Sequence, residues 1–365
     1  MNLAVFMTFG VSLSQWNQIG SLTRELALYN RLSQHFDAIY LITYGNESEL
    51  SFQDQLAPNI KVLYNSHHLP TFLYSLLIPF LHHQHLKQTS IYKTNQLLGS
   101  WSAIVTKLIY HKPLIIRQGY QYSLTLRRKS KFILSLIATF LELISYHLAT
   151  RIIVTSREQK QYISTRYHTN PSRIIVIPNY VDTDLFKPLE VEKDLSRLLF
   201  IGRLDKEKNL YSLVDAIKPL PVHLTLIGSG PLEQSLKLYC VGSNVEFKRS
   251  IPNTDLPLEI NRSAIYVQPS LYEGNPKTIL EAMACGVPVI GTNVNGIKEI
   301  ISTFKTGVLC DTNSDSIRRY IKILLNDSDL RMVIGAHARN YILSNNSLDI
   351  ILQKELELYK TICEN

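Results

Sequence analysis

Strand-length apolar runs alternate with helical stretches along this chain, and the pattern occurs twice. In the first half, residues 3–9, 38–43 and 60–64 are strand-like, and residues 20–36 carry a helical period through Leu22, Leu26, Tyr29 and Leu32. Further short apolar runs fall at 114–116, 152–155 and 174–177. The second half has strand-like runs at 197–201, 223–227, 245–247, 264–268 and 287–291. Helical stretches lie at 209–217 and 232–239, and the end is helical from 314 to about 360. Such alternation implies parallel sheets flanked by helices, since a crossover must return the chain before each new parallel strand. A length of 365 residues suits two domains of roughly 180. Between the halves, Pro178-Asn-Tyr-Val-Asp-Thr-Asp-Leu-Phe-Lys-Pro188 holds two prolines and no strong period. The expected division is 1–180, 181–345 and a final helix, 346–365, packing back toward the first domain. Ligands of open α/β sheets bind at the carboxyl ends of the strands, so the expected site lies between the domains.

Charge is unevenly spread. Residues 1–190 hold 18 Lys and Arg against 10 Asp and Glu, whereas residues 191–365 hold 20 against 20. The whole excess belongs to the first half, which suits an anionic partner such as phosphate, a membrane surface or nucleic acid, and equally a basic domain with no specific partner. No aromatic-rich recognition motif supports nucleic acid. Arg127-Arg-Lys-Ser-Lys131, followed by the apolar stretch 132–148, fits a patch that meets anionic lipid, or a basic turn before a core helix. That stretch carries Glu142 and His147, which argues against a membrane span. Cys240, Cys285, Cys310 and Cys363 form no close pair, which fits a reducing compartment and opposes a disulfide framework. The N-terminus lacks a basic leader and reads as a first strand, so a cytoplasmic location is expected. His67, His68, His82, His83 and His85 lack the spacing of a zinc site and read as a surface or core tract. Asp182 and Asp184, beside prolines, read as turn or capping residues.

The chemistry concentrates in the second half. In Glu273-Gly-Asn-Pro-Lys-Thr-Ile-Leu-Glu281 one acid precedes a helix and a second lies inside it. Asn275 is the expected N-cap and Pro276 the expected first helical residue. A rise of ~1.5 Å per residue puts Glu281 ~7.5 Å along the axis from Pro276. Unpaired N–H groups at the helix start can hold an anion between the two acids. That layout suits a ligand with hydroxyls at both ends and phosphate in the middle, as in a nucleotide-sugar. Upstream, Gly202-Arg203-Leu-Asp-Lys-Glu-Lys208 follows a strand. Gly202 permits a sharp turn, while Arg203 and Lys208 offer cations that could neutralise a leaving diphosphate, or could simply be a solvated charged loop. Gly228-Ser-Gly230 is half of a dinucleotide-type glycine pattern and more readily shapes a wall near the nucleotide.

Four motifs then stand in order. They are Ile177-Pro-Asn-Tyr-Val-Asp-Thr-Asp-Leu-Phe186, Ile201-Gly-Arg-Leu-Asp-Lys-Glu-Lys-Asn209, Leu226-Ile-Gly-Ser-Gly-Pro-Leu232 and the acid pair Glu273 and Glu281. Together they resemble the retaining glycosyltransferases of the GT-B fold, glycosyltransferase family 4, most strongly over residues 174–310. The resemblance implies two Rossmann-like α/β domains. It implies that Arg203 and Lys208 hold the donor diphosphate, with Gly202 at the turn, and that Glu273 faces the sugar. Gly274, Asn275, Pro276, Lys277 and Thr278 would contact sugar hydroxyls or phosphate, and Glu281 would bind the ribose. Gly20, opening the first helix, would approach the donor phosphate. Transfer with retained configuration, a front-face route without a residue nucleophile, and no cofactor or bound metal are implied. The implied partners are a nucleotide-diphosphate sugar donor and a glycan or polyprenyl-linked glycan acceptor, in bacterial surface polysaccharide synthesis at the inner face of the cytoplasmic membrane. The first half departs from the family. Many relatives have a double glycine where this chain reads Gly10-Val-Ser-Leu-Ser-Gln-Trp-Asn-Gln-Ile-Gly20, and a histidine where it reads Pro113-Leu-Ile-Ile-Arg117-Gln-Gly-Tyr120. Arg117 could replace that histidine electrostatically or be structural. A non-catalytic nucleotide-sugar-binding subunit and a sugar-nucleotide epimerase of the same fold are the alternatives.

Overall fold

A computed structural model describes residues 1–364. Among these residues, thirteen strands form two wholly parallel sheets. The first contains β1 (Asn2–Phe6), β2 (Ala38–Ile42), β3 (Ile60–Leu63), β4 (Ile91–Thr94), β5 (Leu114–Gln118), β6 (Arg151–Val154) and β7 (Ile174–Val176), in the order β3-β2-β1-β4-β5-β6-β7. The second contains β8 (Asp194–Ile201), β9 (His223–Ile227), β10 (Val245–Lys248), β11 (Ser263–Gln268), β12 (Val289–Thr292) and β13 (Val308–Cys310), in the order β10-β9-β8-β11-β12-β13. Strand order reverses beside β1 in one sheet and beside β8 in the other, the doubly wound Rossmann arrangement. The chain divides into two compact units. One takes Met1–Pro178 and the residues from Leu352 on, and the other takes Asn179–Ile351.

The apolar runs form these strands because inner parallel strands are covered on both faces. Leu3, Ala4, Val5 and Phe6 on β1, and Leu198, Leu199 and Phe200 on β8, are all buried. Two strands escape the apolar pattern. β13 is only three residues long. β4 reads Ile-Tyr-Lys-Thr and is wholly buried, lysine included. The helical signals also divide more finely than the period suggests. Residues 13–36 form helices Leu13–Gln18 and Leu22–Leu32 and a short 3-10 turn. The C-terminal stretch forms Ser314–Asn326, Ser328–Asn345 and Leu348–Glu364. In the 178–188 segment, Asp182 accepts from the backbone N–H groups of Asp184 and Leu185 at 3.1 and 3.2 Å, a turn-capping role.

Lys93 explains its own strand. Its ammonium pairs with Glu355 of the last helix and donates to the Tyr359 hydroxyl at 2.9 Å. Its charge also lies 5.6 and 5.9 Å from the ring centres of Tyr359 and Tyr29. Burial would raise the Glu355 carboxyl, but the charge of Lys93 and the hydrogen bonds from Lys93 and Tyr359 outweigh it and hold the carboxyl below its usual range. Arg117 on β5 adds a smaller positive field, which favours the charged Glu355 and opposes the charge of Lys93. The His-rich tract also turns partly inward. His82 Nε2 lies 2.8 Å from the Tyr74 hydroxyl, and burial together with the charges of His85 and His67 lowers its pKa to about 4. Among the described residues no three His, Cys, Asp or Glu side chains gather as a metal site would need.

Two outcomes follow. Glu355→Ala leaves a buried cation unpaired and should lower the unfolding free energy by about 3–5 kcal/mol, whereas joint Lys93→Met and Glu355→Leu replacement should recover most of it, read by chemical denaturation. His82 is neutral in the fold but takes up a proton near its ordinary pKa of 6.5 when unfolded. Its contribution to stability is therefore present above that pH and falls as the pH drops toward about 4. His82→Asn should flatten the stability–pH slope in that window by up to about one proton per molecule, measured by thermal unfolding across pH.

Candidate active site

The second unit collects nearly all of the candidate residues at the carboxyl ends of its central strands. Two backbone approaches shape the floor. A Cβ on Gly228 would stand 2.0 Å from the Gly202 carbonyl oxygen, and one on Gly230 would stand 2.4 Å from that of Leu204. The loops after β8 and β9 therefore touch closely enough that only glycine fits. Gly202 N–H donates to the Ile227 carbonyl, and Leu204 N–H to that of Ser229, both at 2.9 Å.

Beyond Gly202 the side chains are ordered by one buried acid. Asp205 accepts from Glu207 N–H at 3.2 Å, capping the turn Lys206–Lys208, and its other oxygen receives Arg203 Nη2 at 2.5 Å. The Arg203 side chain remains 65% exposed, so its guanidinium is held at one edge and open at the rest. Asn209 follows in the left-handed conformation, φ 53°. Its amide donates to the carbonyls of Pro269 and Thr312 at 3.1 and 2.7 Å, tying this loop to the end of β11. Lys208 is thereby set against Glu273.

Glu273 is the focus of the network. Its Oε1 accepts from Lys208 Nζ at 2.5 Å, from Ser270 Oγ at 2.7 Å and from Gln268 Nε2 at 2.8 Å. Gln268 is oriented in turn by the Tyr266 hydroxyl, 2.7 Å from its Oε1 and 2.8 Å from Thr278 Oγ1. Burial raises the Tyr266 pKa and keeps it a hydrogen donor. A Cβ on Gly296, φ 83°, would lie 2.2 Å from the Gly274 carbonyl oxygen and 2.6 Å from that of Glu273, so a neighbouring loop clamps the backbone of this acid.

The acid-flanked helix runs Lys277–Ala284, one residue later than expected. Pro276 occupies the cap position and no side chain caps the helix. Asn275 is not the N-cap. Its carboxamide oxygen accepts from Asn179 N–H at 2.9 Å, and its carbonyl accepts from Asn179 Nδ2 at 2.6 Å. Because Asn275 is drawn toward Asn179, the helix start lacks a side-chain cap from its cap residue. Lys277 Nζ lies 5.8 Å from the Tyr180 ring centre. Glu281, one turn further in, is buried and accepts from Asn253 Nδ2 at 3.3 Å. The structure thus brings together Gly202, Arg203, Lys208, Glu273 and the segment 274–281.

Gly20 belongs to the first unit. It does not open the first helix. It follows Leu13–Gln18 in the left-handed conformation, φ 69°, and precedes Leu22–Leu32. The start of Leu13–Gln18 is held by buried Glu49, which accepts from Leu13 and Ser14 N–H at 2.8 and 3.1 Å. Tyr266, Gln268, Ser270 and Asn253 were not singled out by sequence reasoning. The signal for two of them is legible in retrospect, since Tyr266 and Gln268 are polar residues two apart on one face of a strand that is otherwise apolar after Ser263.

The electrostatics fit binding of an anion whose charge grows. Two cations, one open to solvent and one pinned on a carboxylate, lie with an uncapped helix start in one unit. Gly296→Ala should disturb this arrangement through the clash with Gly274 and the positive φ, lowering stability by about 1–3 kcal/mol in thermal or chemical unfolding.

Comparison with known proteins agrees with this geometry. The family model "Glycosyl transferases group 1" matches residues 181–341, and the model "Glycosyltransferase Family 4" matches residues 23–185. The UDP-Gal:alpha-D-GlcNAc-diphosphoundecaprenol alpha-1,3-galactosyltransferase of Escherichia coli is 27% identical over 265 residues, which is 66% of this chain and 67% of that protein. Sucrose-phosphate synthase from Thermosynechococcus elongatus superposes with a TM-score of 0.81 at 19% identity, covering 99% of both chains. Anabaena Alr3699/HepE, solved in complex with UDP and glucose, gives 0.77 at 17% identity and covers 99% of this chain and 100% of its own. With two family models side by side over residues 23–341 and two Rossmann-like sheets beneath them, the chain belongs to the group 1 glycosyltransferases of family 4, with the GT-B fold.

Proposed function

We propose that this glycosyltransferase is a retaining hexosyltransferase that takes its sugar from a nucleotide diphosphate, with UDP the favoured nucleotide, and adds it to a glycan or lipid-linked glycan of a bacterial surface polysaccharide. The observation that carries the reading is the Lys208–Glu273 pair, fixed by Gln268 and Ser270 close to an uncapped helix start. In this reading the N–H groups of Lys277 and Thr278 and the guanidinium of Arg203 hold the donor phosphates, assisted by the helix dipole. Lys208 stabilises the charge that builds on the leaving diphosphate as the sugar–oxygen bond breaks. Glu273 then faces the sugar, and Glu281 binds the ribose hydroxyls. The departing phosphate accepts the proton of the acceptor hydroxyl on the same face, which preserves the configuration without a residue nucleophile. Positive charge comes from the chain's own side chains, so no metal is required. UDP is favoured because the Escherichia coli relative is named for UDP-Gal and the Anabaena neighbour was solved with UDP. The relative's diphosphoundecaprenol acceptor supports a polyprenyl-linked glycan and a place at the inner face of the cytoplasmic membrane.

In an assay with a UDP-hexose and a polyprenyl-diphosphate glycan, Glu273→Gln should lower kcat by about a hundredfold or more with the fold intact, and EDTA should leave wild-type turnover unchanged. Unaltered turnover in the variant overturns the role of Glu273. Conversion of the donor without acceptor would mark an epimerase instead.

A further inference from the structure

The first unit carries an apolar surface that no part of the proposed chemistry uses. The helix Phe132–Leu148 has Phe132, Ile133, Leu136, Ile137, Phe140 and Leu143 exposed, a stripe at helical spacing, with Ile133 and Leu136 at 76% and 72%. Every exposed position of this helix except His147 is apolar. Its acid faces inward, where buried Glu142 accepts from Ser123 N–H and Oγ at 3.1 and 2.6 Å and from the Tyr167 hydroxyl. The helix Thr71–Leu81 repeats the feature, with Phe72, Leu73, Leu76 and Phe80 exposed around buried Tyr74, Ser75 and Ile78. Between them lies the helix Ser100–Tyr110, which adds exposed Leu108 and Ile109. Small polar contacts seat all three side by side. Ser102 Oγ donates to the Ser75 carbonyl and Tyr110 OH to that of Pro79, both at 2.8 Å, and Ser145 Oγ meets Ser100 Oγ at 2.8 Å. Immediately before Phe132, the five residues Arg127-Arg-Lys-Ser-Lys131 are all exposed.

Singly exposed leucines need no explanation, but three neighbouring helices that turn apolar residues outward do. The 17 residues of Phe132–Leu148 span only ~25 Å at ~1.5 Å each, and no described helix is long and apolar enough to cross a membrane. We infer that this three-helix face lies on an anionic lipid bilayer, with the apolar residues at the acyl boundary and the 127–131 cations among the headgroup phosphates. Charge complementarity selects this occupant. The apolar stripe ends in four cations within five residues, the charge excess of the chain lies in this half, and the exposed positions of the two flanking helices carry no acid. The inference deepens the proposed use of a lipid-linked acceptor, but it stands on the surface alone.

Flotation of the full chain with phosphatidylcholine vesicles, with and without phosphatidylglycerol, tests it in the absence of donor and acceptor. Binding is expected with phosphatidylglycerol at low salt, with partial release at high salt. Joint Leu136→Glu and Phe140→Glu replacement should weaken it by roughly tenfold or more without lowering the unfolding temperature, since both side chains are exposed. Joint Arg127→Glu and Lys131→Glu replacement should remove the preference for phosphatidylglycerol. No flotation with anionic vesicles, or equal flotation of the Leu136→Glu and Phe140→Glu protein, overturns the inference. So does a dimer in light scattering that those replacements dissociate, which would give the face to a second copy. A UDP thermal-shift measurement on the same samples separates this outcome from failure of the donor assignment, because nucleotide binding stabilises the fold whether or not lipid binds.

Discussion

Inner strands of both sheets are covered on their two faces, so any polar side chain on them must find its partner inside the protein. An unpaired buried charge or hydrogen-bonding group costs about 1–3 kcal/mol, and more when ionised, which a marginally stable fold does not tolerate often. The first unit meets this constraint with Lys93, whose ammonium is answered by Glu355 and Tyr359 from the last helix. The second meets it with Tyr266 and Gln268, whose hydrogen bonds run out of the core and end on Glu273. The same requirement that places Glu355 beside Lys93 therefore fixes Glu273 at the end of a hydrogen-bond chain. The difference is where each network ends. The first closes on buried rings, whereas the second reaches the carboxyl end of β11, beside Lys208 and the loop after β8.

The glycines explain why that end is geometrically strict. Gly228 and Gly230 let two loops meet at backbone contact, and Gly296 lets a third press on the carbonyls of residues 273 and 274. Loops held this way resist displacement of their side chains, and an electrostatic site works only if its charges are already in place when new charge appears. The uncapped start of Lys277–Ala284 has the same origin. Asn275 is engaged by Asn179, so the cap position falls to Pro276, whose side chain offers no cap.

The alternation of apolar runs made the α/β class and most strands legible, because periodicity follows directly from burial on sheets and helices. The spacing of Arg203, Lys208, Glu273 and Glu281 made these residues legible as a group, since each sits in a short segment whose neighbours repeat a known arrangement. β4 was not legible, because Lys93 breaks its apolar pattern and the partner that pays for its burial lies 262 residues away. The N-cap was misread for a similar reason. Asn275 has the right residue type, but Asn179 competes for it from 96 residues away.

Sequence by itself determined the fold class, the two halves and the residues that gather at the second sheet, because these rest on local period and local turn chemistry. Only the tertiary structure decided what those residues touch. It answered Lys93 with Glu355, set Gln268 and Ser270 on Glu273, and turned Glu142 inward so that the apolar stripe 132–143 faces out. Each of these depends on a partner far away in the chain, and a sequence pattern records a residue's own preference but not the neighbour that overrides it.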